Sequence, residues 1–311
     1  MTRTYYNCPN IKNAVCGTNV QILSETYANC QNLKNAACGN NVKVMENAYN
    51  NCINLSKAVC GNNVISMNNT YRNCYNLKNA VCGENVQNME YAYYNCTNLT
   101  NAVCSNNVVN LSHTYWSCKN IKTAKCGSNV TDMVGAYAYC SNLTSANCGQ
   151  KVINMADAFY STNVTAALCG PNVINMYSAY GQTKVVTPVC GDNVVNFGWT
   201  YRSCYCIVTP VCGNNVEDMS QTYGFCNRIK IPVCGPNVTN MYSTYTNCAN
   251  LTGPAVCGEK VEDFGYTYNN CINLSGSPVC GNAVLNMNRT YYNCINLTGS
   301  PATSPVVVYM N

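Results

Sequence analysis

The stretch Val42-Lys-Val-Met45-Glu-Asn-Ala-Tyr49-Asn-Asn-Cys52-Ile-Asn-Leu55-Ser-Lys-Ala58-Val59-Cys60-Gly61-Asn-Asn63-Val64 is one copy of a motif that recurs along almost the whole chain. Met45, Tyr49 and Cys52 sit at i, i+4 and i+7, which predicts one face of a short helical turn. Ala58, Val59 and Cys60, closed by Gly61, predict a strand of about three or four residues. Gly61-Asn62-Asn63 predicts a turn, because Gly and Asn tolerate positive φ. The copies are counted by thirteen cysteines, from Cys16, Cys38 and Cys60 to Cys234, Cys257 and Cys280, with gaps of 22 residues six times, then 21, 21, 22, 22, 23 and 23. A period this short and this regular predicts a repeat solenoid, in which each repeat is too small to bury its own apolar side and must stack on its neighbours.

Stacking places like residues in columns. Tyr5, Tyr27, Tyr49, Tyr71, Tyr93, Tyr115 and Tyr137 form one, with Phe159 in place of Tyr before Tyr180 and Tyr201. Asn10, Asn32, Asn54, Asn76, Asn98, Asn120 and Asn142 form another, suited to bonding the Asn above and below.

The run Tyr49-Asn-Asn-Cys-Ile-Asn-Leu-Ser-Lys-Ala-Val-Cys-Gly-Asn-Asn-Val64 resembles the BspA-type leucine-rich repeat, with its order of aromatic, Cys, Leu, short strand, turn and Val. The resemblance covers about residues 3 to 300, and departs from the family in the strand, where Ala-Val-Cys-Gly replaces larger aliphatics followed by Pro. It implies a right-handed leucine-rich-repeat-like stack of about 13 units of 21–23 residues, short parallel strands on one face and short helical or irregular turns opposite. It also implies surface adhesion or recognition, and it places Ala58 and Cys60 inward and Val59 outward. The outward column then includes Val15, Val59, Val81, Val103, Lys125, Val189, Val211 and Val233, an apolar stripe of the kind that marks a partner contact. The other readings of that stripe are that Val serves only β-propensity, or that the faces are reversed and the Cys column is the exposed one.

Residues 1–300 read as a continuous solenoid, with a change of curvature or strand type near 160–185, and Pro301 to Tyr309 within 301–311 reads as a C-terminal capping strand. Near 160–185 the spacing drops, Thr162 and Thr183 replace the first-column Cys, and Pro188, Pro210, Pro232 and Pro278 begin to replace Ala in the strand. Pro removes a ladder donor, so this part should have shorter or differently paired strands. Arg3-Thr-Tyr-Tyr-Asn-Cys8 repeats Arg289-Thr-Tyr-Tyr-Asn-Cys294, so the chain starts in mid-repeat, an open end where a second copy or another partner is expected to stack.

The chain has 26 Cys. Besides the thirteen and Cys206, a second column runs from Cys8, Cys30 and Cys52 to Cys248, Cys271 and Cys294. Free buried thiols, one disulfide per repeat and metal binding compete. Cys169 and Cys190 persist where the first-column partner is Thr, which weighs against obligatory bridges, and structural zinc spacing is lacking. No metal and no cofactor are expected.

Only 9% of residues are charged while 47% are hydrophobic, which excludes a disordered chain. The net +5 lies in the first half: residues 1–155 carry 11 Lys/Arg and 5 Asp/Glu, the remainder 6 and 7. Lys12, Lys34, Lys78 and Lys122 share a column, an edge suited to an anionic ligand or simply to solubility. They are too few and too spread for nucleic acid. No apolar run approaches the roughly 18 residues of a membrane span, and Met1 to Cys8 is no signal peptide. His113 is the sole His, and the 12 acids are scattered, so an enzyme is not expected.

Two functions follow. One is a non-enzymatic recognition or adhesion protein, at the extracellular surface or on a virion or fibre, binding a cell-surface glycan or protein through its sheet face. The other is a structural subunit of a fibre, spike or virion-like assembly that self-associates through its open N-terminal end. Ice binding would want an exposed Thr column, whereas Thr26, Thr70 and Thr114 sit beside the buried Tyr.

Overall fold

A computed structural model describes residues 1–299 of the chain, so the expected cap at 301–311 lies outside the described residues. The chain divides into two compact bodies, Met1–Asn163 and Val164–Asn311. The first contains three strands, β1 (Asn13–Val15), β2 (Asn35–Ala37) and β3 (Lys57–Val59), paired in parallel in the order β1-β2-β3 with Ala14, Ala36 and Ala58 in register. Parallel pairing follows from the repeat, since each turn of the coil brings the chain back in the same direction. A second column of parallel bridges links Ile22, Val44, Ser66, Asn88, Asn110, Asp132 and Asn154. In the second body the same column joins Asn175, Asn196, Asp218, Asn240, Asp263 and Asn286. Asn and Asp recur there because the side chain caps the next turn: Asp218 Oδ1 accepts from the Ser220 amide at 2.9 Å, and Asn110 Oδ1 from the Ser112 amide at 2.8 Å.

The segment expected to be helical is a chain of overlapping turns, and no helix occurs among the described residues. Met45, Tyr49 and Cys52 are all buried as the spacing predicts, but by a different backbone path. Ala48, Asn50 and Cys52 donate to the carbonyls three residues back, of Met45, Asn47 and Tyr49. The alternate amides of Met45, Asn47, Tyr49 and Asn51 donate to the next repeat, to Ser66, Asn68, Thr70 and Arg72, at 2.9–3.0 Å. Helix propagation is cut because φ turns positive at Asn47 (53°) and Asn51 (60°), a conformation that Asn tolerates best among residues with a Cβ. Every second amide is thereby freed to join neighbouring repeats.

At Gly61-Asn62-Asn63 the turn forms, with the Val64 amide donating to Gly61 at 3.3 Å. None of its three residues has positive φ. The glycine column serves close approach instead: a Cβ on Gly127 would lie 2.3 Å from the Ser105 carbonyl oxygen of the preceding repeat.

The interior is built from columns. Val42, Met45, Tyr49, Cys52 and Leu55 are all fully buried. In the first body the tyrosine rings stack from Tyr5–Tyr27 (5.1 Å between centroids) to Tyr137–Phe159 (5.9 Å). In the second they stack from Tyr180–Tyr201 (5.8 Å) to Tyr268–Tyr291 (5.7 Å). Each contact of this kind adds roughly 0.5–1.5 kcal/mol beyond area burial. Their hydroxyls do a second job. Tyr223 Oη donates to the Val211 carbonyl at 2.7 Å and accepts from the Val211 amide at 2.8 Å, and Tyr245 does the same to Val233. Where the β1-β2-β3 ladder runs, this clamp is reduced or missing: Tyr27 Oη only donates to the Val15 carbonyl, at 3.3 Å, and Tyr49 Oη and Tyr71 Oη, which would reach Ala37 and Val59, are buried without a partner. Ladder and clamp compete for the same strand groups. The ladder has already thinned to single bridges at Asn79–Asn101 and Thr123–Ser145, before any Pro enters the strand. Proline therefore is not what first shortens it, although the second body has only isolated bridges at the strand position, as expected.

All 26 cysteines are free. The buried column is inter-repeat glue: Cys52 Sγ donates to the Tyr27 carbonyl at 3.1 Å, Cys74 Sγ to Tyr49 at 3.2 Å and Cys226 Sγ to Tyr201 at 3.1 Å. Thr162 and Thr183 replace this with hydroxyl bonds inside their own repeats, to Phe159 at 2.8 Å and Tyr180 at 2.7 Å. Burial pushes the Cys52 and Cys60 thiols up to about 12, and Cys74 well above its ordinary value.

Replacing Tyr223 or Tyr245 by Phe strands a buried amide and carbonyl and should cost about 1–3 kcal/mol in denaturant unfolding. Tyr49→Phe and Tyr71→Phe should be neutral or stabilising; equal losses at all four sites would refute the competition between ladder and clamp. Alkylation at pH 8 should spare Cys52, Cys74 and Cys226 until denaturant is added, because the reactive thiolate is suppressed. Peptide mass mapping that found these residues labelled in the native protein would contradict their place in the core.

Candidate recognition surfaces

The strand side is oriented as expected. Ala14, Ala36 and Ala80 are 2–4% exposed and face inward, while Val15 and Val59 are 75% and 56% exposed. Of the remaining expected contact residues, Lys125 is exposed and Val81, Val103, Val189, Val211 and Val233 are half-buried. In the first body Val15, Ala37 and Val59 are direct register partners. In the second body Leu168 of the same column is exposed, and the exposed aliphatics that the sequence reading passed over include Val186, Val208 and Ile231. They fall just before Pro188, Pro210 and Pro232, outside the triplet on which the reading was centred. Val233 lines a shallow hollow with Pro236, Val256 and Glu259.

Lys12, Lys34, Lys78 and Lys122 are exposed along one edge. The Lys34 amide donates to the Lys12 carbonyl at 2.9 Å, so these two are immediate neighbours. Ser56 and Thr100 bond to Lys34 and Lys78 at 3.0 Å and interrupt the row. The charges thus fall on adjacent repeats once and on alternate repeats afterwards.

The turn side holds features that the sequence reading missed. In each repeat of the first body two residues with positive φ point outward, such as Asn47 and Asn51, with one further residue, Asn50, between them. The paired left-handed columns form two rims and the middle column a floor. One rim is an amide ladder: Asn51 Nδ2 donates to Asn29 Oδ1 at 2.9 Å, Asn73 to Asn51 at 2.7 Å and Asn95 to Asn73 at 3.1 Å. The expected column from Asn10 to Asn142 also bonds in part, as in Asn76 to Asn54 at 3.1 Å.

Further along, the same columns turn aromatic. Arg72 lies 5.5 Å from the Tyr91 ring and 4.9 Å from Tyr94. Tyr91 stacks on His113 at 4.6 Å, His113 meets Trp116 at 5.2 Å, and Trp116 meets Tyr139 at 5.0 Å. The Trp116 indole lies over Gly135, where a Cβ would come within 2.9 Å of it. Tyr91, His113 and Tyr139 take φ of 52°, 53° and 60°, a region costly for bulky side chains. The signal available in the sequence was the sole His, His113, where Asn47 and Asn69 stand in earlier repeats, and Trp116, one of the two Trp, where Ala28 and Asn50 stand. Burial lowers the His113 pKa, against the pull of Asp157, Glu90 and Asp132. Ser112 Oγ lies 2.8 Å from His113 Nδ1. Among the described residues no carboxylate hydrogen-bonds the other ring nitrogen, so the pair lacks the third group that orients a catalytic base. Nor does any cluster of three His, Cys, Asp or Glu there form a metal site. Thr26, Thr70 and Thr114 are fully buried, so that column does not face solvent.

The second body has a smaller arrangement of its own. Arg202 lies between Trp199 (4.4 Å) and Phe225 (4.7 Å), and its guanidinium bonds the Gln221 side chain.

These columns find relatives. The family model described as "BspA type Leucine rich repeat region" matches residues 2–90 and 68–183, in six copies. A leucine-rich repeat protein from Bacteroides ovatus is similar in structure, with a TM-score of 0.55 at 15% identity over 85% of this chain and 71% of its own. A leucine rich cell surface protein from Faecalibacterium prausnitzii aligns with a TM-score of 0.41 at 13% identity, over 90% of this chain and 83% of its own. No curated protein matches the sequence. With more than half of its residues under the family model and a parallel-stranded stack of repeats, the chain belongs to the BspA-type leucine-rich repeat family.

Proposed function

We propose that this protein is a non-enzymatic recognition and adhesion protein of the extracellular surface, which binds a cell-surface glycan or protein through the outward side of its strands. The observation that carries the reading is the outward aliphatic column, with Val15 and Val59 exposed beside the exposed Lys12 and Lys34. A side chain such as Val59 at 56% exposure adds nothing to the core that Ala37, in the same column, does not. Exposed aliphatic rows of this kind mark contact surfaces. The lysine edge adds attraction for anionic groups at long range, which acts mainly on the rate of encounter and fades with salt. Family membership agrees with a scaffold whose work is done by a surface and not by a catalytic centre.

The test is binding of the full chain to glycan arrays and to intact cells by flow cytometry. Val59→Glu with Val103→Glu should weaken binding at least about tenfold, equivalent to ~1.4 kcal/mol, with the circular dichroism spectrum unchanged. Lys34→Glu with Lys122→Glu should slow association and flatten its salt dependence. Variants that fold and bind like the wild type would sink the strand-side reading. Concentration-dependent polymers with no surface partner would favour the structural-subunit reading in its place.

A further inference from the structure

We propose that the turn-side trough of the first body is a second binding site, for an extended neutral saccharide. It lies on different columns from the strand-side surface and rests on different observations. At its first end, Ala28 puts only a methyl group between Tyr6 and Asn50, and the gap is a groove walled by Glu25, Asn29, Asn47 and Asn51. Asn50 Oδ1 is buried there without a hydrogen-bond partner, while its Nδ2 reaches Asn47 Oδ1 at 3.4 Å. A buried acceptor left unpaired costs about 1–3 kcal/mol, and a hydroxyl donated by a ligand removes that cost. Turning the amide over leaves a donor in the same place, which a hydroxyl also satisfies. The one carboxylate in the wall, Glu25, is held by Arg3 at 2.8 Å, so the groove offers amides and a neutralised acid and not a free charge.

At its other end the trough offers ring faces. Tyr139 is 40% exposed, and Trp116, on the floor, lies beside it over the gap that Gly135 leaves in the first rim. Arg72 packs its guanidinium on the Tyr91 and Tyr94 rings, so this end presents ring faces and not a row of cations. Strain gathers at this end as well. The first rim carries Tyr91 and His113 where Asn47 and Asn69 stand in earlier repeats, and the second carries Tyr139 where Asn29 and Asn51 stand. Backbone strain of this sort is retained where function selects the side chain. Flat rings, a row of amides and an unmet hydrogen-bond acceptor suit a ligand with apolar C–H faces and a hydroxyl edge. A pyranose is such a ligand. The amide ladder repeats the same donor and acceptor set at each step, which fits a chain of like sugars better than the irregular surface of a folded protein.

The experiment is titration of the full chain with cellohexaose, chitohexaose and mannohexaose, followed by tryptophan fluorescence and calorimetry. At least one should bind saturably and shift the fluorescence. Trp116→Ala and Tyr139→Ser should each weaken that binding at least about tenfold. Both substitutions have precedent in their own columns, at Ala28 and Ala138 and at Ser117 and Ser161, so the fold should hold. Asn50→Ala should weaken binding too, and Trp199→Phe, in the second body, should not. The proposal is overturned if none of the three sugars binds, if binding survives Trp116→Ala and Tyr139→Ser, or if these variants instead lose a protein partner. The strand-side variants Val59→Glu and Val103→Glu should bind the sugar normally, so failure of one site leaves the other standing.

Discussion

Everything in this protein depends on backbone hydrogen bonds that run between repeats from segments that are not strands. The alternate amides of Met45, Asn47, Tyr49 and Asn51 reach carbonyls of the next repeat, and equivalent bonds recur within each body. A helix would consume those amides internally and leave repeats joined by side chains alone. The left-handed residues break it every four positions and turn a local structure into a ladder. Stacking distance, the tyrosine pile and the glycine requirement at positions such as Gly127 all follow from that spacing.

On the strand side the same constraint produces a choice. A strand residue's amide and carbonyl are satisfied either by the neighbouring strand or by the tyrosine hydroxyl of its own repeat. The first repeats take the ladder and leave Tyr49 Oη and Tyr71 Oη orphaned. Later ones take the hydroxyl, as at Val211 and Val233. Burial of unpaired polar groups is expensive, so one or the other is used wherever the strand is covered, while Phe159 offers no hydroxyl to Asn147, which is exposed to water. Short parallel pairing is weak per residue, which lets a single phenol compete with it.

On the turn side, positive φ has a second consequence. It aims two side chains per repeat outward, and these make the rims of a trough whose chemistry varies while its backbone does not. The core columns are uniform because stacking demands equal volumes in each layer. The rim columns vary from Asn to Tyr, His and Gly because solvent imposes no such demand, and recognition has room there.

How far the residues alone lead is clear from particular positions. The 22-residue period and the burial of Met45, Tyr49 and Cys52 are legible because periodicity records which side chains share an environment, whereas the inward Ala with outward Val came from the family resemblance. The turn chain reads as helical or irregular because buried residues at i, i+4 and i+7 are common to both paths, and only φ at Asn47 and Asn51 separates them. Gly61 was read as a turn residue when its neighbour's carbonyl was the reason, a contact made across repeats. The pairing of Arg72, Tyr91, His113, Trp116 and Tyr139 joins residues up to 67 positions apart, whose adjacency depends on which side of each repeat they leave. By itself the sequence determined that like residues stack, since a repeat cannot bury its apolar side alone. Which surfaces the stack presents, and which backbone groups remain to be satisfied there, was decided only by tertiary structure, because both depend on hydrogen bonds between repeats.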